Sequence, residues 1–443
     1  MKNSALPLLF LFLFQFSQAQ TTIGFQRTYG ELGDQQADAV KQTFDGGYIA
    51  VGFTYPPAST WNWWIVKTDA NGDTTWTKQF SGDNMTAFDV IQTRDSNYVV
   101  GGYKNSSGYG KLMKLNQAGD SLWSHVYQPQ GWIQCVQELN NGDLVCGGST
   151  LFKVDASGNT ITPLANNGQI EYLTTTHDSG FAVLSFGTNV VYLRKFTMTG
   201  TLTWTKSLPP YVLINASNND LLETPDHGYV YVCTPSDYST VIVRTDPNGD
   251  TLWTKHYANI FYPSGITRTT DGGYAIAACD HSTGVYDFEM VKTDSGGVVL
   301  WSHTYGHGSD AYCQSIHQTA DGGYIIAGSI DSTQTGDGYD MFLVKTDSVG
   351  STIGTSVQEI PRQFIAMVLF PNPMNDHATI QFGQSLNNGT VFISDVQGKI
   401  VREIHHVSGS EFTFEREALV SGTYFISVKE GSHSFSTIKF IVE

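Results

Sequence analysis

Short runs of apolar or alternating apolar and polar residues recur along nearly the whole chain, each cut off by Gly, Asp or Asn. No helical period persists through any of them, so the pattern predicts an all-β protein. The runs are also copies of one another. Residues 43–80 read TFDGGYIAVGF, a loop, then WIVKTDANGDTTWTKQF, and residues 319–350 return TADGGYIIAGS, a loop, then MFLVKTDSVG. Aligning the residue after the first turn gives Tyr48, Tyr98, Leu144, Phe181, Tyr229, Tyr274 and Tyr324, which marks seven units. Four short strands in a period of roughly 40–50 residues is the pattern of a β-propeller blade. The expected architecture is a seven-bladed β-propeller followed by a small C-terminal β-sandwich.

The turns explain themselves mechanically. First hairpins turn at Asp45-Gly46-Gly47, Asn141-Gly142-Asp143, Asp271-Gly272-Gly273 and Asp321-Gly322-Gly323. Gly supplies positive φ there, and Asp bonds its own backbone. A second tight turn ends in Gly72, Gly119, Gly158, Gly200, Gly249, Gly297 and Gly350. The strand after it carries Trp76, Trp123, Trp204, Trp253 and Trp301, often with Phe80, Tyr127, Tyr257 or Tyr305 four residues on. Residues four apart on a strand share a face, so these rings read as packing between neighbouring blades. Phe25, Tyr29 and Gly30 match Trp301, Tyr305 and Gly306, so residues 22–30 read as a fourth strand that joins the last blade, with 351–358 competing for the place.

The ends read differently. Lys2, the apolar run 5–14, and the small residues Ser17 and Ala19 predict a secretory signal peptide over 1–19, with the mature chain starting at Gln20. No later segment has the length and uniform apolarity of a transmembrane helix. The expected organisation is signal peptide 1–19, propeller 20–358, linker 359–368 and sandwich 369–443. With a net charge of -17 and 24 Lys and Arg in 443 residues, the surface repels phosphate backbones, so nucleic acid is not expected as a partner. Cys135, Cys146, Cys233, Cys279 and Cys313 show no metal-ligand spacing and read as buried thiols, with a facing Cys135–Cys146 pair as the alternative.

The tail contains Phe370-Pro371-Asn372-Pro373, the strand 378–382, Asp395 followed by Gly398-Lys399, and Ser421-Gly422-Thr423-Tyr424-Phe425. In this order the motifs resemble the type A C-terminal sorting domain of the type IX (Por) secretion system of Gram-negative bacteria. The resemblance implies a β-sandwich that is read by the outer-membrane translocon and then usually removed. It also implies a protein that passes through the periplasm and ends up secreted or attached to the outer cell surface. Turns are expected at 387–389, 397–398 and 430–431. The repeats themselves are similar to the tryptophan-docking repeats of quinoprotein dehydrogenases. Their turn is one residue shorter and the Thr-Gly-Lys segment is missing, which argues against a bound quinone.

Catalytic motifs do not appear. The DxNGD strings at 69–73 and 246–250 match only the front of a calcium loop and read as turns. No cofactor or metal site is therefore expected, calcium at these strings being the alternative. His303 and His307 sit on a strand and its loop, where four-residue spacing does not converge. A basic residue recurs as Lys67, Lys114, Lys153, Lys195, Arg244, Lys292 and Lys345, which reads as a structural ion pair or a solvated stem. The variable second loops carry Tyr55, Trp61, Trp63, Tyr109, Tyr238, Tyr286 and Tyr339 among small polar residues. Aromatic platforms on loops suit a glycan, peptide or protein ligand, the alternative being rings that only cap the rim. Two further readings stay open. One is a polysaccharide lyase or glycosidase using Asp34, Asp89, Asp280, Asp287, Asp310 or Asp340; the other is a structural adhesin.

Overall fold

The computed structural model describes residues 24–443 except 32, 57–59, 83, 105–107, 129–130, 165–167, 188–189, 209–220, 236, 282–283, 307–308, 332–337, 353–366, 396–398, 431–432 and 435–437. The expected signal peptide and most of the expected linker therefore lie outside the described residues. The chain divides into two compact units at Ser356 and Val357. Among the described residues there are strands and turns and no helix.

Each residue used to align the repeats opens the second strand of its repeat, from Tyr48–Tyr55 to Tyr324–Asp331. Four-stranded antiparallel sheets cover 34–80, 85–127, 133–163 and 169–208. A seven-stranded sheet covers 221–305 because the 18-residue strand Thr251–Arg268 serves two repeats. It pairs with Ser239–Thr245 up to Phe261 and with Tyr274–Asp280 from Phe261 onward. No Gly interrupts the chain between Trp253 and Pro263, so the strand bends without a turn, where four separate strands per unit were expected. The last sheet takes three strands from 311–346, and its fourth is Phe25–Tyr29, antiparallel to Tyr339–Thr346. The N-terminal segment thus occupies the closing position.

Each sheet packs face to face on the next. Ile49 and Trp63 meet Ala87 and Val100; Val99 and Leu112 meet Val136 and Cys146; Cys135 and Val145 meet Ile170 and Phe181. Tyr172 and Leu184 meet Leu221 and Tyr231, the two halves of the seven-stranded sheet meet through Val230 and Ile242 against Ile266 and Ile276, and Ala277 and Phe288 meet Ala311 and Ile326. The order closes on itself, since Ile325 and Leu343 of the last sheet pack on Val40 and Tyr48 of the first. Small antiparallel sheets stacked in cyclic order make a β-propeller. All five cysteines are buried thiols outside any disulfide. Cys135 and Cys146 lie on opposite faces of their sheet, which rules out the facing pair.

The aromatic stripe clasps the neighbouring glycine turn. Tyr127, Tyr257 and Tyr305 donate their hydroxyls to the carbonyls of Gly158, Gly297 and Gly350 at 2.6–2.7 Å. Rings of Trp76, Trp123, Trp204, Trp253 and Trp301 come within 2.8–3.2 Å of where a Cβ on Gly119, Gly158, Gly249, Gly297 and Gly350 would stand. Phe25 and Tyr29 do the same to Gly72, with the Tyr29 hydroxyl 2.6 Å from its carbonyl. Gly72, at φ +81°, is required twice over, by the backbone and by the ring against it.

The recurring basic residue is buried in every repeat and pairs with the carboxylate of the first turn, not with the aspartate two residues along the chain. Lys67 meets Asp45, Lys114 meets Asp95, Lys153 meets Asp143, Lys195 meets Asp178, Lys292 meets Asp271 and Lys345 meets Asp321 at 2.7–3.4 Å, and Arg244 meets Asp226. Partial burial pushes the Asp271 carboxyl up, but hydrogen bonds from Thr269, Lys292 and the Gly273 N–H outweigh it and bring it down to about 2. Removing the acid from the most enclosed pair leaves a buried ammonium, since Lys345 is 1% exposed. Asp321→Ala should therefore cost about 3 kcal/mol, at the low end for breaking a buried pair. Denaturant titration checks this. A shift within error of zero would mean that the pair is solvated. Asp271→Ala, whose carboxylate faces solvent, should cost less.

Among the described residues the second unit holds six strands in one sheet, where about seven short strands in a sandwich were expected. Its first strand, Met367–Phe370, begins inside the stretch read as linker. Two long strands, His377–Ser394 and Ile400–Glu415, run antiparallel through repeated register shifts that bend the sheet around its own core. Asn387, Asn388 and Gly389 lie within the first of these strands as an irregularity, not a hairpin turn, next to the buried Leu386. Turn 397–398 lies outside the described residues. The strand Gly422–Glu430 ends where turn 430–431 was placed, though residue 431 itself is not described. Ile380, Val391, Ile393, Ile426 and Phe440 are fully buried together.

Candidate functional site

Rim aromatics are positioned by a clamp between adjacent sheets. Asp310 Oδ1 accepts from the Tyr286 N–H at 2.8 Å while the Ala311 N–H donates to the Tyr286 carbonyl at 2.6 Å. Asp34 Oδ1 accepts from the Tyr339 N–H at 3.0 Å. Met85 N–H donates to the Trp61 carbonyl at 2.8 Å, and Asn84 Oδ1 accepts from the Trp61 N–H at 3.4 Å. At these three junctions a residue at or just before the start of the first strand holds the aromatic residue of the preceding repeat. Asp34 and Asp310, two of the candidate acids, are occupied in this way.

Held so, the rings form a continuous arc. Tyr238 lies 5.2 Å from Tyr262, Tyr262 lies 6.0 Å from Tyr286, Tyr286 lies 5.0 Å from Tyr312, and Tyr312 lies 5.8 Å from Tyr339. Tyr339 and Tyr312 then share a cavity of about 290 Å³ with Asp34, Gln36, Phe53, Tyr55 and Trp61. Trp61 stacks on Phe53 at 4.6 Å and 9°, and both rings also line a 540 Å³ hollow with Asp38, Phe88, Tyr103 and Trp132. Tyr238 and Tyr262 sit at φ +63° and +49°, left-handed values that bulky residues rarely adopt. Such strain concentrates at working sites.

Charge enters the arc from the innermost strands. The first strand of most sheets bulges by one residue, at Asp38, Phe88, Gln134, Glu171 and Gln314. Asp38 Oδ1 accepts from Gln36 Nε2 at 2.7 Å, and its Oδ2 is buried with no hydrogen-bond partner among the described residues. Burial raises the Asp38 carboxyl to about 7, opposed only by the Gln36 bond. Burial likewise raises Glu171 to about 7 and Asp89 to about 6. Deeper in, Lys41 Nζ lies 2.6 Å from His317 Nε2, and burial holds both below their ordinary values.

Trp61, Tyr238, Tyr286 and Tyr339 lie along this series of rings and its cavity. Trp63 does not. It is fully buried between the first two sheets, its Nε1 donating to the Tyr103 carbonyl at 3.3 Å, and belongs to the core. Its burial follows from strand position, because Asn62–Thr68 is enclosed on both faces whereas Trp61 precedes it. Tyr109 opens its strand half-buried, in register with Lys104, outside the arc. Loop reasoning missed Phe53, Phe88, Tyr103, Trp132, Tyr262 and Tyr312. Most of these lie within strands, and the available signal was an aromatic residue near a strand end on the variable-loop side.

The candidate acids are spread over several sheets. Asp89 is buried, taking the Val90 and Val136 N–H groups at 2.8 and 2.9 Å. Asp280 and Asp287 are cross-strand neighbours, and Asp340 pairs in register with Ile330 in another sheet. At the calcium-like strings, Asp69 Oδ1 accepts from Asn71 and Asp73 N–H at 2.9 Å, and Asp246 Oδ1 from Asn248 and Asp250 N–H at 2.9 and 2.8 Å. These oxygens cap their own turns. His303 Nε2 lies 3.1 Å from the Val349 carbonyl, and His307 lies outside the described residues.

Residues 368–443 match the family of the secretion system C-terminal sorting domain. The tail is a secretion sorting domain. The sorting domain implies handling by the type IX secretion system and export to the cell surface or extracellular space. No curated protein matches the chain. Among solved structures it is similar to PorZ of Porphyromonas gingivalis, an essential bacterial surface component of the type IX secretion system, at 14% identity and TM-score 0.45. That alignment covers 90% of this chain, which spans only 58% of the PorZ chain. A Bacteroides caccae protein of unknown function aligns at 16% identity and TM-score 0.40 over 58% of this chain and 93% of its own. The Neurospora crassa Pan2 WD40 domain aligns at 11% identity and TM-score 0.49 over 70% of this chain and 89% of its own.

Proposed function

We propose that the chain is made with a signal peptide over 1–19 and crosses the periplasm. Once exported, it works as a seven-bladed β-propeller that binds an extended glycan along the aromatic arc. The blade count takes the seven-stranded sheet as two blades sharing one bent strand. The observation that carries the binding reading is the unbroken series of rings from Tyr238 to Tyr339, continued across a cavity to Trp61. Aromatic faces take the C–H faces of sugars, and Asp34, Gln36 and Asp38 stand beside them to take hydroxyl groups. Screening the full chain against a glycan array tests the reading, with unrelated peptides as the control. Trp61→Ala, Tyr238→Ala and Tyr339→Ala should each weaken the glycan found by about 1–2 kcal/mol. Their melting temperatures should barely move, because these rings are at the surface. Asn71→Ala and Asn248→Ala, in the tight turns, should bind as the parent does. Binding lost at the turns and kept in the rim variants would overturn the assignment, as would capture of peptides alone.

A further inference from the structure

On the face that carries the first hairpin turns, one junction between sheets differs in chemistry from the others. In several repeats the last residue of the first strand accepts the N–H of a turn residue in the preceding repeat. Gln42 takes Ala320, Gln92 takes Phe44, Glu138 takes Arg94 and Gln318 takes Thr270, at 2.7–3.0 Å. Glu223 keeps this role, its Oε2 accepting from the His177 N–H at 2.8 Å. Its other oxygen faces the same residue's ring, with Oε1 2.8 Å from His177 Nδ1. A second imidazole joins them. His227 lies on the turn that follows Glu223, and its ring stacks on that of His177 with centroids 3.4 Å apart and planes at 22°.

His227 is also out of place by backbone rules. It stands at φ +66°, where the corresponding turns carry Gly46, Gly142, Gly272 and Gly322 or the small Ser96 and Ser179. A β-carbon in that region is strained, and nothing in the turn itself requires imidazole. What the substitution achieves is convergence: one donor atom from each of His177, Glu223 and His227 lies within 4.8 Å of the others. Two imidazole nitrogens and one carboxylate oxygen are a donor set for zinc, with a fourth position left to water.

We propose that His177, Glu223 and His227 form a divalent-metal site that takes zinc and ties the fourth repeat to the fifth. His177 ligates in the tautomer that keeps its proton on Nε2, and Glu223 turns Oε1 from that ring to the ion. The backbone N–H of His177 holds Oε2 and so fixes the carboxylate, as outer-shell hydrogen bonds do at metal sites. The inference is independent of the aromatic arc.

The test titrates zinc alone into the full chain in metal-free buffer, by calorimetry and by competition with a chromophoric chelator. One ion should bind per chain and should raise the melting temperature. The discriminating variants are residues that the other repeats already use, so they keep the fold. His227→Gly restores the turn glycine, and Glu223→Gln keeps the acceptor for His177 as Gln42, Gln92 and Gln318 do. Each should weaken zinc at least about tenfold, the scale for losing even an outer-shell partner, and abolish the rise in melting temperature. Absence of stoichiometric zinc binding in the parent would overturn the proposal. So would affinity in His227→Gly that stays within twofold of the parent.

Discussion

A chain that lacks residues 24–30 is expected not to fold cooperatively. This segment supplies the strand Phe25–Tyr29, whose residues pair from Phe25 with Lys345 through Tyr29 with Met341. Removing it strips the outer edge of Tyr339–Thr346 and leaves an unpaired strand that invites association with other chains. It also removes two rings that are 6% and 9% exposed in the core joining the last sheet to the first. A buried aromatic typically contributes about 3–5 kcal/mol on truncation, so two of them approach the about 5–15 kcal/mol by which whole domains are stable. The Gly72 turn loses its clasp at the same time. Circular dichroism melts and size-exclusion chromatography should show aggregate or an unfolded chain where the parent melts sharply. Tyr29→Phe keeps the ring and loses only the hydrogen bond to the Gly72 carbonyl, so it should cost about 1 kcal/mol. A truncated chain that melts within a few degrees of the parent would show that the ring closes without this strand.

Deleting 367–443 should leave the propeller folded and confined to the periplasm. The tail has a core of its own, from Met367 to Val442, and the propeller cores contain none of its residues. Each unit has a core of its own, so the effect of the deletion should fall on sorting. Quantifying the protein in medium, on the surface and in periplasmic extract checks this. A point substitution sharpens the test: Ile426→Asp buries a charge at a position that is 0% exposed, which should unfold the tail alone. If the translocon reads a folded domain, this variant is retained like the deletion. Normal amounts of the deleted chain outside the cell would remove the export role from the tail.

Much of the propeller was legible because its rules are local and repeated. Gly72 and Gly350 must follow a tight turn, Tyr48 and Tyr324 open a strand, and Phe25 with Tyr29 copies Trp301 with Tyr305. Repetition turns each weak local signal into a strong one. Less was legible where one element does two jobs. The strand Thr251–Arg268 reads as two strands because each half pairs normally, and only the missing turn shows that they are one. In the tail, Asn387-Asn388-Gly389 carries turn chemistry, yet the strand continues through it because Leu386 is anchored in the core.

The sequence by itself determined the all-β class, the repeat, the propeller turns and the sorting motifs, and it narrowed the closing strand to residues 22–30 or 351–358. All of these rest on residues close together in the chain or on identical residues one period apart. Only the tertiary structure decided which surfaces have chemistry. Lys67 has Asp69 beside it in sequence but pairs with Asp45, because the hairpin brings that turn back over the third strand. Trp61 and Trp63 look alike in sequence, and one faces the cavity while the other lies between two sheets. Tyr312 joins Tyr286 to Tyr339, and His177 meets His227, across boundaries between sheets. For the rings and the histidines the physical reason is shared: strand pairing follows local pattern, whereas contacts between sheets depend on how stacked sheets place their rims, which no spacing within one repeat encodes.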